Sequence, residues 1–416
     1  MQTTSEYTYL FISFLALRTL IELYLKIRQR QHIIKHRSMV PTQFQQTISL
    51  ADHQKAADYN VTRINSSFFF YLLDLALLLA WTYGGGLNYL DYLLHPLNLS
   101  PLHQGVLYLF SFSLISAIID LPQTLYATFV IEKKFGFNKT TPKLFMLDLL
   151  KGVILFAVLA TPLLYSLLFI FDFMGNLWWI YAWAFLAIFQ LIMVWLYPSL
   201  IAPWFNKFAP LNDTEITDKI SNLLDRCKLK NSGIFTMDAS KRSSHGDAYF
   251  TGLGKNKRIV FFDTLISTLS PNEIVAVLAH ELGHYKKKHI LQHLIISSSS
   301  SLLGFFILGQ VHHIPLFFST HGVINNVNYL ALLLFVLISP VYTFFITPLF
   351  SFLSRKNEFA ADRFASENSN AQDLIAALTK LYKDNASTLT PDPLYSAIYH
   401  SHPPAQIRIE KLLKLS

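Results

Sequence analysis

Seven long apolar stretches constrain the fold of this chain more than any other feature. A helix needs about 20 mostly apolar residues to cross the hydrocarbon layer of a membrane. Only 14% of the 416 residues are charged, against about 25% in a typical soluble protein. The sequence therefore predicts a mostly α-helical, multi-pass membrane protein and excludes a cytosolic enzyme. The seven predicted spans are residues 7–25, 67–84, 105–126, 152–171, 177–197, 290–311 and 329–352.

The linkers between these stretches alternate in charge. Residues 26–66 and 127–151 are rich in Lys and Arg, whereas residues 85–104, 172–176 and 312–328 contain neither. Because Lys and Arg accumulate on the cytoplasmic side of a membrane, seven spans place the N-terminus outside and every large polar segment in the cytoplasm. We attribute the formal net charge of +8 to loops that face anionic membrane lipid, and we expect no nucleic-acid partner.

Two polar regions emerge on the same predicted face, so they can fold together as one cytoplasmic α+β domain of about 150 residues. The first contains β-like runs at 234–237, 248–251 and 258–263, and we predict that Gly252, Gly254 and Asn256 form a hairpin turn. The predicted regions are an N-terminal membrane region of five helices (1–197), a first catalytic part (198–289), two further membrane helices (290–352) and a second catalytic part (353–416).

The first catalytic part ends in a predicted helix that carries a metal-binding motif. Ser270, Pro271 and Glu273 form the start of a helix with a capping box. The motif is His280-Glu281-Leu282-Gly283-His284, in which two histidines four residues apart share one helix face and can hold Zn²⁺, while the glutamate polarises the bound water. The composition gives about 0.03 accidental matches in a chain of this length. We therefore predict one catalytic Zn²⁺ per chain.

A catalytic zinc requires a third protein ligand. The metzincin continuation of the motif is absent, because Lys287 and Ile290 occupy its Gly and His positions, and His289 is rotated away from the ligand face. The better candidate is Glu358, with Asp362 one helical turn later to accept the second ring N–H of a ligand histidine. Two solvated acids are the alternative reading, but the position of the pair directly after the last span favours the metal site.

These motifs, in this order, resemble the CAAX prenyl protease type I family of membrane-spanning zinc endopeptidases. Further segments that carry the resemblance are 128–139, 201–208, 241–250 and 401–404. The resemblance implies seven helices that enclose a water-filled chamber, a gluzincin-type zinc metalloprotease domain, and cleavage of a peptide bond near the C-terminus of prenylated CaaX proteins or other membrane-associated proteins. It also implies that His280, His284 and Glu358 are the ligands and that Glu281 is the general base.

The remaining predicted site residues surround this centre. The resemblance implies that Asp362 is an acid behind a ligand histidine and that His402 and Arg408 stabilise the oxyanion. Where the family pattern has asparagine, this chain has Asp247, which cannot donate a hydrogen bond when ionised. We expect Asp247 to bind the substrate backbone, and Ala248 and Tyr249 to belong to an edge strand that pairs with an extended peptide, although such a strand is as often only the edge of a sheet.

Two other functions are the alternatives to this one. A heat-shock-type membrane quality-control protease has a similar motif but fewer spans, and a non-catalytic transporter or scaffold would lack a complete ligand set. Polar residues within the spans, such as Asp120, Gln123 and Gln190, are predicted either to face a cavity or to bond neighbouring helices. We expect a functional monomer in a bacterial inner membrane, or in the endoplasmic reticulum membrane if the source is eukaryotic.

Overall fold

The structure, a computed structural model, describes residues 2–229, 233–251 and 258–415. Within these residues the chain forms eighteen α-helices and a four-stranded sheet. The helices are α1 Gln2–His36, α2 Leu50–Trp81, α3 Gly86–Leu94, α4 Pro101–Tyr126, α5 Lys133–Phe135, α6 Pro142–Phe173, α7 Trp178–Leu196, α8 Ala202–Phe205, α9 Thr214–Arg226, α10 Asp263–Thr268, α11 Pro271–Lys286, α12 His289–Val311, α13 Pro315–Ser319, α14 Asn328–Thr343, α15 Thr347–Asn368, α16 Ala371–Asp384, α17 Pro393–Tyr399 and α18 Ala405–Leu413. The strands are β1 Phe208–Pro210, β2 Ile234–Met237, β3 Ala248–Thr251 and β4 Arg258–Phe262.

Six helical segments of the described chain are long and apolar enough to cross a membrane. The first predicted span falls in α1, which has 35 residues but is not among the six, so the count of seven spans stays a prediction. The six segments are Leu50–Trp81, Pro101–Phe135, Pro142–Phe173, Gly175–Phe205, His289–Val311 and Asn328–Asn368.

Several of these helices extend well beyond the predicted spans. The basic stretch 26–66, which the sequence suggested was a linker, is mostly helical, because α1 runs to His36 and α2 begins at Leu50. The Ser49 side chain caps α2 by accepting a hydrogen bond from the Asp52 N–H. The final segment is likewise continuously helical from Asn328 to Asn368. It therefore connects the last predicted span, 329–352, directly to the start of the second catalytic part at residue 353.

Polar residues within the membrane helices take both of the roles considered for them. Asp120 and Gln123 line a cavity of about 480 Å³ together with Asp74 of α2. In contrast, the Gln190 amide donates to Ser297 Oγ at 3.3 Å, which joins α7 to α12. A cavity and an interhelical hydrogen bond therefore both occur in this bundle.

The sheet has the order β1-β2-β4-β3, with β2 and β4 parallel and the other two pairs antiparallel. Its last three strands match the predicted β-like runs, except that β4 ends at Phe262, while β1 was not predicted. The predicted turn at Gly252, Gly254 and Asn256 lies outside the described residues. Since β3 has only β4 as a neighbour among the described strands, it is an edge strand.

Helix α11 is the centre of the polar domain. Its apolar residues, among them Ile274 and Leu278, are fully buried in a core shared with α9, α16 and the sheet. The predicted capping box is present, since Ser270 accepts a hydrogen bond from the Glu273 N–H and the Glu273 carboxylate accepts one from the Ser270 N–H. The Lys380 ammonium of α16 also donates to Glu273, at 2.7 Å. This packing fixes the helix that carries the metal-binding motif.

Candidate metal centre

The two histidines of the motif lie on the face of α11 that packs against α15. Their Nε2 atoms are 3.2 Å apart, and both face the Glu358 carboxylate of α15. His280 Nε2 is 3.5 Å from Glu358 Oε2, and His284 Nε2 is 3.3 Å from Glu358 Oε1. His280, His284 and Glu358, which are up to 78 positions apart in the sequence, thus place three possible ligand atoms within 4.8 Å of one another.

These spacings fit a metal ion with nitrogen and oxygen ligands. Tetrahedral Zn²⁺ with bonds of 2.0–2.1 Å holds its ligand atoms about 3.3 Å apart. Glu358 is 4% exposed, so its carboxylate is largely removed from water. A buried carboxylate carries a charge that is costly to remove from water, and a cation held between it and the two imidazoles would compensate for that cost. The donor set therefore fits zinc.

The other ring nitrogen of His280 faces Asp362. The distance from His280 Nδ1 to Asp362 Oδ1 is 2.9 Å, so the carboxylate can accept the Nδ1–H and leave Nε2 free for a metal. Burial and the Arg408 charge lower the pKa of His280, but its hydrogen bonds with Asp362 and Glu358 outweigh them and raise that pKa to about 9. Asp362 therefore lies within hydrogen-bond distance of His280, and its role behind a metal-binding histidine stays a prediction.

Arg408 is buried beside this pair. Its Nε and Nη2 atoms donate to the two oxygens of Asp362 at 2.7 and 2.8 Å, which is a bidentate contact. The guanidinium also lies 3.1 Å from His280 Nδ1. Arg408 therefore holds Asp362, and through it His280, from α18.

His284 has a comparable partner. Its Nδ1 atom is 3.0 Å from His289 Nδ1, and His289 is buried at the first residue of α12. A metal-binding Nε2 leaves the proton on His284 Nδ1, which His289 can accept. His289 is off the ligand face, as the sequence predicted, but its contact with His284 was not predicted.

Glu281 lies between the two histidines in sequence and is partly exposed. Burial raises the pKa of its carboxyl group, although the charges of His280 and His284 lower it. Among the described residues no side chain or backbone group forms a hydrogen bond with the Glu281 carboxylate. The group is therefore available to a water molecule or a substrate.

The loop before α18 brings His402 to the same centre. Its Nδ1 atom is 2.9 Å from Glu358 Oε2, and its side chain is 67% exposed. A histidine that contacts the buried Glu358 carboxylate and is itself exposed can also contact a substrate.

Asp247 precedes the edge strand on the other side of the centre. Its Oδ1 atom accepts a hydrogen bond from the Ala248 N–H at 2.8 Å, and its carbonyl accepts one from Phe262 in β4. Surrounding protein desolvates the carboxyl group and raises its pKa, while His402 lowers it. Ala248 is buried and Tyr249 is partly buried within β3.

A hydrogen-bonded group beside this strand had no role in the sequence prediction. His245 stacks on Phe137 with ring centroids 4.6 Å apart, and its Nδ1 and Nε2 face Asn385 and Glu132 at 3.2 and 3.4 Å. The Tyr59 hydroxyl donates to Glu132 at 2.5 Å. The group joins the membrane region to the loop that carries Asp247. Segments 128–139 and 241–250 both carry the family resemblance. Because they are far apart in the sequence, the sequence does not indicate the contact between them.

The chain is similar to known proteins over nearly its whole length. Residues 29–207 match the pattern described as CAAX prenyl protease N-terminal, five membrane helices, and residues 210–416 match peptidase family M48. A CAAX prenyl protease 1 homolog of Arabidopsis thaliana is 41% identical over 71% of this chain and 70% of its own. A homolog of Oryza sativa is 34% identical over 96% of each chain. The crystal structure of S. mikatae Ste24p has a TM-score of 0.92 at 32% identity and covers 98% of this chain and 99% of that one.

Proposed function

Since the chain belongs to the CAAX prenyl protease 1 family of M48 metallopeptidases, we propose that its peptidase site is a zinc centre held by His280, His284 and Glu358. The observation that carries this proposal is the convergence of the three donor groups at 3.2 to 3.5 Å. Zinc, when bound, supplies a Lewis acid that polarises the scissile carbonyl and makes water acidic.

The side chains around the ligands have distinct roles in this proposal. Glu281 takes the proton of the attacking water, because its carboxylate has no hydrogen-bond partner in the described protein and its pKa is raised toward that of a useful base. His402 donates to the oxyanion, because its imidazole is exposed beside Glu358. Asp362 orients His280, and Arg408 orients Asp362, so the two act on a ligand rather than on the substrate.

Strand β3 is the proposed binding surface for the substrate backbone. An edge strand offers unpaired N–H and C=O groups, to which an extended peptide can add as a further strand. Asp247 stands at the start of this strand, and the raised pKa of its carboxyl group favours the protonated form that can donate to a peptide carbonyl. Ala248 and Tyr249 contribute the backbone groups that follow.

The proposed substrates are CaaX proteins, which the names of the relatives indicate. The match of residues 29–207 to an N-terminal region with five membrane helices favours this function over the heat-shock-type alternative.

We retain the predicted topology, with seven spans around a chamber, the N-terminus outside and the catalytic parts 198–289 and 353–416 in the cytoplasm. The cavity lined by Asp74, Asp120 and Gln123 supports a hydrated interior. A functional monomer also stays a prediction, as does its location in a bacterial inner membrane or, if the source is eukaryotic, in the endoplasmic reticulum membrane.

Product masses test this function directly. The purified chain in detergent is mixed with a farnesylated CaaX peptide or with its unmodified counterpart, with and without a chelator, and the products are weighed. We expect cleavage near the C-terminus of the farnesylated peptide, loss of cleavage with chelator and recovery with added Zn²⁺. Cleavage that persists in the chelator and in Glu281→Gln would refute the proposed chemistry.

A further inference from the structure

A partly enclosed cavity of about 470 Å³ adjoins the proposed catalytic centre. His402 and Arg408 line one side of it, and Tyr59 and Arg63 of α2 line another. Leu378, Leu381 and Tyr382 of α16 supply an apolar wall. The cavity is within the size range of pockets that bind small ligands, about 300–1,000 Å³, and it is formed jointly by the membrane region and the catalytic domain.

The charges on the cavity wall are of one sign. No Asp or Glu is among its described lining residues, which include two arginines and two histidines. The charge of Arg408 is neutralised, because both oxygens of Asp362 accept hydrogen bonds from its guanidinium. Arg63 is different, since it is exposed and forms no ion pair with any residue that the structure describes.

The position of Arg63 is nevertheless defined. Its guanidinium lies over the Tyr59 ring, 5.4 Å from the centroid, which holds a cation in place without neutralising it. The acid next to that ring is Glu132, but its carboxylate accepts the Tyr59 hydroxyl hydrogen bond and faces His245. Arg63 therefore offers an uncompensated, planar set of donors to whatever enters the cavity.

We propose that this cavity binds the C-terminal segment of the peptide substrate and that Arg63 binds its terminal carboxylate. The inference rests on the proposed function, because a CaaX motif ends at the C-terminus of its protein and cleavage releases a short peptide with a free carboxylate. A guanidinium binds a carboxylate through two parallel hydrogen bonds, which gives both affinity and orientation. The apolar wall from Leu378 to Tyr382 then contacts the side chains of the leaving segment.

The decisive measurement compares two substrates. A farnesylated CaaX peptide with a free C-terminal carboxylate and the same peptide with a C-terminal carboxamide are each cleaved by the purified full chain, and kcat and KM are determined separately. We expect the carboxamide to lower kcat/KM of the wild-type protein about tenfold or more, mainly through KM, because a charge-assisted contact is lost. Equal values for the two peptides would overturn the inference without any variant.

Substitution of Arg63 assigns the effect to this residue. Arg63→Gln is expected to lower kcat/KM for the carboxylate peptide about as much as the carboxamide does, and the two losses are not additive, because they remove the same contact. Arg63→Lys retains part of the preference. Arg226→Gln is the matched control, since Arg226 is also an exposed arginine but lies on α9, away from this cavity. We expect this variant to prefer the carboxylate peptide over the carboxamide as strongly as the wild type does.

The outcomes separate this inference from the proposed function. If Arg63→Gln lowers kcat/KM equally for both peptides, its role is structural and the inference fails. If both peptides are cleaved equally and Glu281→Gln abolishes both reactions, the peptidase function stands while the inference fails. If neither peptide is cleaved in a manner that depends on Glu281, the function itself fails.

Discussion

Gly283 lies so close to Ala361 that a β-carbon added to the glycine would stand 2.9 Å from the Ala361 Cα. This contact sets the approach of α11 to α15, the helices that carry His280 and His284 on one side and Glu358 on the other. The neighbouring atom belongs to the backbone, so it cannot move without moving the helix. A glycine between the two histidines of the motif thus allows the Glu358 carboxylate to approach them.

We therefore expect Gly283→Ala to separate the two helices and to lower the zinc content and kcat/KM together. Overpacking of a core contact costs about 1–3 kcal/mol in stability, and a small displacement is enough to disrupt a three-ligand site. Metal analysis of the purified protein and a peptide cleavage assay measure the two effects.

Gly304→Ala is the control for that change. Gly304 is also a helical glycine, but an added β-carbon would meet only the Phe335 Cε1 atom, at an ordinary 3.7 Å. We expect wild-type zinc content and activity. A Gly283→Ala protein with full zinc occupancy would show that the close contact does not determine the ligand geometry.

Glu281→Gln separates metal binding from catalysis. The substitution retains the size of the side chain but removes the base, so we expect a normal zinc content and a loss of about 10²–10⁴ in kcat. His284→Ala, which removes a ligand, is expected to lose zinc and activity together. Zinc analysis beside the mass assay distinguishes them, and a Glu281→Gln protein that cleaves at the wild-type rate would contradict the role of this residue.

The features that sequence predicted best are those that depend on short spacing. The capping box of Ser270 and Glu273 and the shared face of His280 and His284 each require only one helical turn, and both are present. The spacing of Glu358 from the histidines predicts nothing, but a zinc site with two histidines needs a third ligand. The chemistry of the metal thus supplied a contact that spacing alone does not.

The features that sequence did not reveal depend on long-range packing or on an unusual backbone. His289 turns back toward His284 because Lys288, between their helices, has a positive φ of 60°. Such a backbone conformation is uncommon for lysine, so the sequence does not predict it. Arg63 meets Arg408 at one cavity only after α2 and α18 pack together. Strand β1 ends at Pro210 and pairs only with β2 at the edge of the sheet, where proline is tolerated.

Glu273 is expected to stabilise the helix that carries the metal ligands. It is 6% exposed and accepts hydrogen bonds from the Ser270 N–H and from Lys380. Glu273→Ala removes both, and we expect a loss of about 1–3 kcal/mol in the free energy of unfolding. Glu215→Ala on α9 is the control, because the ion pair of Glu215 with Lys219 is largely exposed and contributes about 0–1 kcal/mol. Thermal unfolding measures both.

The same residue gives stability a predictable pH dependence. Burial raises the pKa of Glu273, but the contacts with Lys380 and Ser270 outweigh it and lower the pKa below its ordinary value of 4.5. Its contribution is therefore fully present above pH 4.5 and is lost as the pH falls through the lowered value. We expect the stability difference between wild type and Glu273→Gln to shrink below that pH. A difference that is constant from pH 6 to pH 3 would contradict this account.

Asp247 provides a test of how the substrate is held. Desolvation raises the pKa of its carboxyl group, so the protonated, donating form persists above its ordinary value of 3.8 and disappears as the pH rises further. Asp247→Asn keeps the shape and donates at every pH. We therefore expect the ratio of kcat/KM between variant and wild type to be near one at the acidic end of the active range and to increase with pH. Peptide cleavage rates across that range measure the ratio, and a ratio that does not change with pH would show that Asp247 does not donate to the substrate.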